Sequence, residues 1–465
     1  MSIQDMTLAF KTLRAKYDPY CQLFSYYDGD QPLVYTAKRL TEIFKDLDAY
    51  FAENWCSVVI DSEQDRINLR SIQIEGAANV KWQDLWSASE INLESDDVHE
   101  AALVTGEGYF IAWPDEMGVM QGYHNDPRLV HLFYDYANPR VKRFAAKMWV
   151  NEEKRWQMTL YYADHLEYYE TLNKAENVSE ASSFQPSNIS RADNPYGEVP
   201  VFHYRQGKRK VKSDLKNVIP MQNGINKLLT DMMVTAEFMA FPQRYIISNA
   251  DVQGKLRNSP NEVWDLPAGD GMSQQTQAGQ FEAAKLENYL RSIDSLATAI
   301  SSITRTPKHY FFQVGSNLSG EALIAMEAPL NKKAQDRIDR FEPVWKDVAR
   351  FMLKATGTIV DPKKIQVNFD KPETIQPRTT AETRQMNVNA GMSLTTVWRE
   401  EGKTEEWIKQ AQKDKDADAA RTQVSLASGM LQAERKFNAG MGTGGEKTGD
   451  GGRGTGQMNG GGASA

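Results

Sequence analysis

The chain has 465 residues, with 54 Lys and Arg against 62 Asp and Glu and a formal net charge of −8. Its hydrophobic and charged fractions, 41% and 25%, are those of a globular protein, and so long a chain can bury ample core, which excludes disorder throughout. Two cysteines, Cys21 and Cys56, exclude a disulfide scaffold and suit a reducing compartment, while the acidic balance argues against tight nucleic-acid binding by phosphate neutralisation.

Length suggests about three domains. No apolar run reaches the ~18 residues of a membrane helix. The first twenty residues lack a continuous apolar stretch and a small-residue cleavage site, so a signal peptide is not expected. Residues 1 to about 205 read as mixed α and β. Leu40, Ile43, Phe44, Leu47 and Phe51 place one face of a helix over Thr36–Glu53. Trp55–Ile60 is a short apolar strand candidate, Ile67–Ile74 alternates in part, and Val80–Leu93 is helical in pattern. Gly106-Glu107-Gly108 leads into a strand at Tyr109–Trp113, and further strands are expected at Val130–Tyr136, Ala145–Val150, Trp156–Tyr162 and His165–Thr171. Asn194-Pro195-Tyr196-Gly197 is a turn, followed by a strand at Pro200–Tyr204.

The pattern changes near residue 213. Ser213-Asp214 can cap a helix whose stripe runs Ile225, Leu228, Leu229, Met232, Met233 and Ala236 and stops at Phe241-Pro242. Residues 249–278 are turn-rich after a strand-like Tyr245–Ile247. A second helix is expected from about Gln280 to Ile303, about 36 Å long, ending at Arg305-Thr306-Pro307. Residues 306–318 do not fit a helix. A third helix opens at Ser319 and keeps its stripe from Leu323 to Met352 across Pro329 and Pro343, each of which should bend it. Ile365–Phe369 alternates like a strand, and Thr379–Phe437 is helical. From Gly440 to Ala465, 12 of 26 residues are glycine, which predicts a disordered tail.

Motifs for catalysis are missing. The six histidines are scattered, with no HExxH and no CxxC, so metal-ligand spacing is absent. There is no GxSxG and no GxxxxGK[ST], and the GxG at 106–108 lacks the third glycine of a dinucleotide loop, where Ile111 stands. No enzyme and no cofactor are expected. Asp61, Glu63 and Asp65 are the best local carboxylate group for a metal-dependent nucleic-acid enzyme, at a spacing that suits one face of a strand or an ion-binding loop. Arg205, Lys208, Arg209, Lys210 and Lys212 put five cations in eight residues. They read either as a solvated loop or as a contact for phosphate or for an acidic neighbouring subunit. Lys308-His309-Tyr310-Phe311-Phe312 is too apolar for an ordinary exposed loop. It is either a buried connection or a loop that packs on copies of itself or lines a cavity.

Taken in order, several segments resemble the portal proteins of tailed bacteriophages of the siphophage type. They are Tyr26-Tyr27-Asp28-Gly29-Asp30-Gln31-Pro32, Asn54–Asp61, Gly106–Ile111, Asn194-Pro195-Tyr196-Gly197-Glu198-Val199-Pro200, Ser213-Asp214-Leu215 and Gly315-Ser316-Asn317-Leu318-Ser319-Gly320. The resemblance covers roughly residues 20–400. It implies an α+β multidomain portal fold: a wing at 1–212, stem helices at 213–241 and 280–305 and a small clip at 242–279. A tunnel loop at 306–318, a long kinked helix with a wing return at 319–378 and a helical crown at 379–437 follow, before a Gly-rich tail at 438–465. It further implies a ring of about twelve copies at one capsid vertex, closed by heterologous contacts, through which double-stranded DNA passes without sequence preference. Implied partners are the terminase large subunit, head-completion or adaptor proteins, and the major capsid and scaffolding proteins, with no membrane. Residues facing DNA or a neighbouring loop would be Lys308, His309, Tyr310, Phe311, Phe312 and Gln313, and Arg257, Glu262 and Trp264 would dock partners on the clip. A capsid or tail adaptor that conducts no DNA is the other structural reading.

Overall fold

The computed structural model describes residues 2–32, 53–172, 178, 180–207, 210–239, 244–247, 277–282, 285–312, 319–372, 377–400 and 405–440. The helix expected at Thr36–Glu53, the clip residues Arg257, Glu262 and Trp264, residues Lys208, Arg209 and Gln313, and all of the tail beyond Gly440 lie essentially outside that set. The chain divides into two units, Met1–Thr374 and Ile375–Ala465, and it mixes helices with antiparallel sheets.

The larger unit opens with α1 (Ile3–Asp28), capped by the Ser2 hydroxyl, which accepts from the Asp5 amide. Its first half lays Met6, Ala9, Phe10 and Leu13 against Phe144, Met158, Leu160 and Phe184 of a five-stranded sheet. α2 (Trp55–Gln64) replaces the strand expected at Trp55–Ile60. Asn54 decides this locally, since its side-chain oxygen accepts from the Ser57 amide and starts a helix. Trp55, Cys56, Val59, Ile60 and Glu63 then share one buried face. β1 (Leu69–Ile74) follows. The helix expected over Val80–Leu93 is two helices, α3 (Ala78–Ala88) and α4 (Ile91–Thr105), broken at Glu90, whose φ is +45°. That left-handed backbone cannot continue a right-handed helix.

β2 (Glu107–Pro114), β3 (Met120–Asn125) and the later β9 (Val201–Arg205) form a three-stranded sheet in the order β3-β2-β9. The intervening chain makes an antiparallel meander of β4 (Val130–Tyr134), β5 (Lys142–Val150), β6 (Trp156–Tyr161), β7 (His165–Thr171) and β8 (Phe184–Asp193). β3 and β8 were not legible as strands; six of the ten β8 residues are exposed. The glycines before β2 serve packing. Gly106 ends α4 with φ +97°, and a Cβ there would lie 2.7 Å from the Lys212 amide nitrogen. A Cβ on Gly108 would lie 2.4 Å from the Val98 carbonyl oxygen, so helix α4 rests directly on the strand backbone. Gly108→Ala is therefore expected to cost about 2–3 kcal/mol by overpacking, read as a lower denaturant midpoint at unchanged slope.

After the Ser213-capped turn come α5 (Ile219–Met239), β10 (Arg244–Ile247), β11 (Gln277–Gln280) and α6 (Glu287–Thr304). The helix expected to start at Gln280 starts seven residues later, because Gln277–Gln280 pairs with Arg244–Ile247 instead. α7 (Gly320–Ala355) is one helix of 36 residues containing Pro329 and Pro343. Ser319 caps it as expected, accepting from the Ala322 amide. Its face of Ala334, Ile338, Phe341, Trp345, Val348 and Met352 forms the spine of the main core, where it meets Phe110, Phe202 and Tyr204. β12 (Ile365–Phe369) then pairs antiparallel with β1, joining segments nearly three hundred residues apart.

The NPYG segment is bound to α7. Glu198 takes both Arg350 terminal nitrogens at 2.9 and 2.7 Å and the Lys354 ammonium at 2.8 Å. The Arg350 fork, with Lys354 behind it and against the pull of partial burial, holds that carboxyl down to about 2.

The smaller unit holds α8 (Pro377–Asn389), α9 (Leu394–Glu400) and α10 (Glu405–Gly440). Val397 and Ile408 are buried there, and Trp398 meets Trp407 edge-on at 5.4 Å. The last helix runs through Gly440, so residues 438–440, expected in the tail, are helical.

Candidate functional site

The candidate site is the hairpin of α5, β10, β11 and α6 together with the segment after it. Its first helix is stitched into the body by amide side chains. The Trp55 amide donates to Gln222 Oε1 at 2.9 Å, Gln222 Nε2 donates to the Glu53 carbonyl at 2.6 Å, and Asn226 Nδ2 donates to Gln31 Oε1 at 2.7 Å. The Tyr26 hydroxyl donates to Asn223 Oδ1 at 2.8 Å. These bonds satisfy buried polar groups that would otherwise cost about 1–3 kcal/mol each.

The two helices pack on each other. Gly224 brings α5 close enough for a Cβ there to touch Leu296 at 3.4 Å, and the Thr235 and Tyr289 hydroxyls meet at 3.1 Å. Ile225, Ile293, Ala297 and Ile300 are buried near the root. Away from it burial fades: Leu290 is 54% exposed and Ile247 61%. β10 and β11 close the far side with a ladder from Arg244–Gln280 to Ile247–Gln277, and Tyr245 packs on Phe281 at 5.3 Å.

α6 ends at Arg305, whose φ is +63°. The segment that follows is anchored to the body. Lys308 pairs with Asp294 at 2.7 Å. The Tyr310 hydroxyl donates to Glu327 at 3.2 Å and accepts from Arg66 at 2.8 Å, and His309 lies 3.8 Å from Glu327. Phe311 and Phe312 close on Trp55, with ring centroids 5.5 and 5.2 Å apart. Of the two sequence readings of residues 306–312, the buried connection describes this half. Residues 313–318 lie beyond the described set.

A four-charge cluster locks the root of the hairpin to α7. Glu63 of α2, fully buried, faces Lys333 at 2.7 Å and Arg337 at 3.0 Å. Asp214, in the turn before α5, faces the same two cations at 2.6 and 3.4 Å. Burial pulls the Asp214 carboxyl upward, but Lys333 and then Arg337 outweigh it and hold that carboxyl below the usual carboxylate range. Sequence reasoning missed this cluster. Its signal was present: Glu63 falls on the apolar face of α2, and Lys333 and Arg337 stand one turn apart beside the stripe of α7.

The carboxylate triad considered for metal catalysis does not assemble. Asp61 accepts from the Tyr27 hydroxyl at 2.9 Å, while Glu63 turns inward to the four-charge cluster. The spacing that suited a strand fails on a helix, where residues two apart face different sides. Among the described residues no group of three His, Cys, Asp or Glu could hold a metal ion. In the basic stretch, Arg205 lies over the Tyr134 ring at 5.3 Å, and Lys210 and Lys212 are exposed. Among the described residues no helix is long and apolar enough to cross a membrane.

The chain is 22% identical over 319 residues to a portal protein of Mycobacterium phage D29, covering 63% of each chain. It is 23% identical over 298 residues to the portal protein of Mycobacterium phage L5, covering 59% of this chain and 58% of that one. The matched stretch thus spans less than two thirds of either relative. A chain from the solved structure titled "Virion of native gene transfer agent (GTA) particle" superposes with a TM-score of 0.46 at 10% identity, covering 80% of this chain and 95% of that one. The family described as "Phage portal protein, SPP1 Gp6-like" matches residues 12–421, from the middle of α1 into α10 and across the whole hairpin. By that match this chain belongs to the SPP1 Gp6-like phage portal protein family, a family of virion components without enzymatic activity.

Proposed function

We propose that this chain is the subunit of a ring of about twelve copies that forms the channel at one capsid vertex, through which double-stranded DNA is packaged and ejected. The observation that carries the reading is the family match over residues 12–421. In this reading α5 and α6 are the stem, residues 242–279 the clip that docks the terminase large subunit and later the head-completion proteins, and residues 379–437 the crown. Residues 1–212 form the wing, which meets the major capsid and scaffolding proteins. The net charge of −8 suits a conduit, since a bore dense in Lys and Arg would hold each passing phosphate and a weakly attractive one lets the duplex slide. The fading burial along the hairpin also supports it, because apolar side chains such as Leu290, half-exposed on a lone chain, would be covered by neighbouring copies.

The loop that touches DNA or its neighbours is assigned to residues 313–318, with 306–312 as its root. Lys308, His309, Tyr310, Phe311 and Phe312 then act by fixing where the loop leaves the body. Purified protein viewed by electron microscopy down its axis should show closed rings of about twelve subunits with a central hole. A stable monomer, or a closed disc with no bore, would sink the reading. Replacing residues 313–318 with a Gly-Ser hexapeptide should leave rings intact yet cut packaging of DNA in vitro by about tenfold or more, the factor that accompanies loss of about 1.4 kcal/mol of contact. Full packaging by that variant would remove the loop from the mechanism.

A further inference from the structure

A ring closed by head-to-tail contacts needs two different, complementary patches on opposite sides of each subunit. The β2 strand carries such a pair, one at each end. Beyond its C-terminal end, where Pro114 pairs with Met120, a cleft of about 470 Å³ opens between the β2–β3 turn and the junction of α3 and α4. Glu90, Glu94, Asp115 and Glu116 line it together with Trp113 and Tyr123, and none of its lining residues is cationic.

These four carboxylates make no ion pair among the described residues. Glu94 accepts from the His124 amide and Asp115 from the amides of Met117 and Val119, so backbone donors hold two of them in place without neutralising them. Burial, together with the like charges of Asp97 and Glu90, pushes the Glu94 carboxyl above its usual range. Lys147 lies over the Tyr123 ring at 5.2 Å and the Trp149 ring at 5.6 Å, not on any of these carboxylates. The rim is apolar and exposed: Met117 is 89% exposed, and Leu93 and Val119 are about half exposed. Uncompensated acids inside an apolar rim fit a basic segment with an apolar residue at its centre.

The other end of β2 supplies that segment. Glu107 pairs with Arg205 there, and Gly106 backs onto the Lys212 backbone. Lys210, Val211 and Lys212 stand exposed beside it, and neither lysine makes an ion pair among the described residues. At ~3.4 Å per residue the eight-residue strand separates the two patches by about 24 Å, so one chain cannot satisfy its own cleft.

We infer that the Lys210-Val211-Lys212 segment of one copy docks in the acidic, aromatic-walled cleft of the next, forming the repeating head-to-tail contact of the ring. This inference rests on the proposed ring. The two lysines meet Glu90 and Glu116 at the cleft mouth, and Val211 meets the Met117–Val119 rim. The contact sets the direction of assembly because neither patch can pair with itself.

Charge reversal tests it on the full chain, with assembly followed by mass photometry over a concentration series. The unaltered protein first has to form rings; a protein that stays monomeric at every concentration overturns the proposed function itself. Given rings, Glu90→Lys with Glu116→Lys, and separately Lys210→Glu with Lys212→Glu, should each raise the half-assembly concentration at least tenfold. Circular dichroism should be unchanged in both, since all four side chains are exposed. All four substitutions in one chain should restore assembly to within about threefold of the unaltered protein, the swapped charges again being complementary. Rings that form normally in either double variant, or a quadruple variant no better than the doubles, would overturn the contact while leaving the ring intact.

Discussion

Glu63→Ala is expected to lower the stability of the larger unit by about 3–5 kcal/mol, the scale of stranding buried charge. The substitution leaves Lys333, only 7% exposed, and Arg337 with Asp214 as their one remaining carboxylate in that cluster. Two cations then share one anion in a place water scarcely reaches. The loss should appear as an early transition in chemical denaturation, followed by tryptophan fluorescence, since Trp55 sits on the same helix. The double substitution Glu63→Leu with Lys333→Met removes a matched pair and leaves Asp214 facing Arg337. It should recover most of the stability, because apolar packing can replace a buried ion pair at little net cost. If Glu63→Ala proves as stable as the unaltered chain, the cluster is solvated in solution and does not fasten the hairpin. If it is as unstable as expected, the proposed rings should dissociate at lower denaturant too, since the cluster joins Asp214 at the foot of the hairpin to α7.

Below about pH 6.5 the fold should weaken through His99. The ring is fully buried, stacked on Phe341 at 4.9 Å, and its Nε2 accepts the Trp345 indole N–H at 3.0 Å. Burial holds its pKa down to about 3, from an ordinary 6.5. The folded state therefore keeps the ring neutral where the unfolded chain takes up a proton. This contribution is complete above pH 6.5 and drains away as pH falls toward 3, at up to about 1.4 kcal/mol per pH unit. His99→Gln retains an acceptor for Trp345 and removes the titration. At pH 8 it should be less stable by about 1–3 kcal/mol. By pH 5 that gap should shrink by about 2 kcal/mol, since the unaltered chain alone has begun to bear the cost. A gap that stays constant between pH 8 and pH 5 would show that His99 is protonated inside the fold.

Much of the architecture could be read before any coordinates. The stripes on α5, α6 and α7 are long and regular, so local periodicity is enough, and Ser319 and Ser213 act as caps by geometry that involves only neighbouring residues. Pro329 and Pro343 did not mislead, because a stripe kept over 36 residues outweighs two missing backbone bonds. The meander strands β4–β7 followed from alternation flanked by turns. Where local signals conflict, reading failed. Trp55-Cys56-Ser57-Val58-Val59-Ile60 is apolar enough for a buried strand and periodic enough for a helix, and only the Asn54 cap tips it. The start of α6 was misplaced because Gln277–Gln280 finds its partner 33 residues upstream, at Arg244–Ile247.

From the residues alone one could establish the class of fold, the hairpin, the absence of catalytic motifs and the family resemblance, all of which rest on spacing along the chain. The fold had to decide which charges meet and which aromatics turn inward. Glu63 looked like one corner of a carboxylate triad and became the partner of residues 270 and more positions away. Phe311 and Phe312 looked like loop residues and became the root that closes on Trp55. Burial is a sum over neighbours brought together from distant sequence, and it is burial that turns a side chain from solvent-facing to structural.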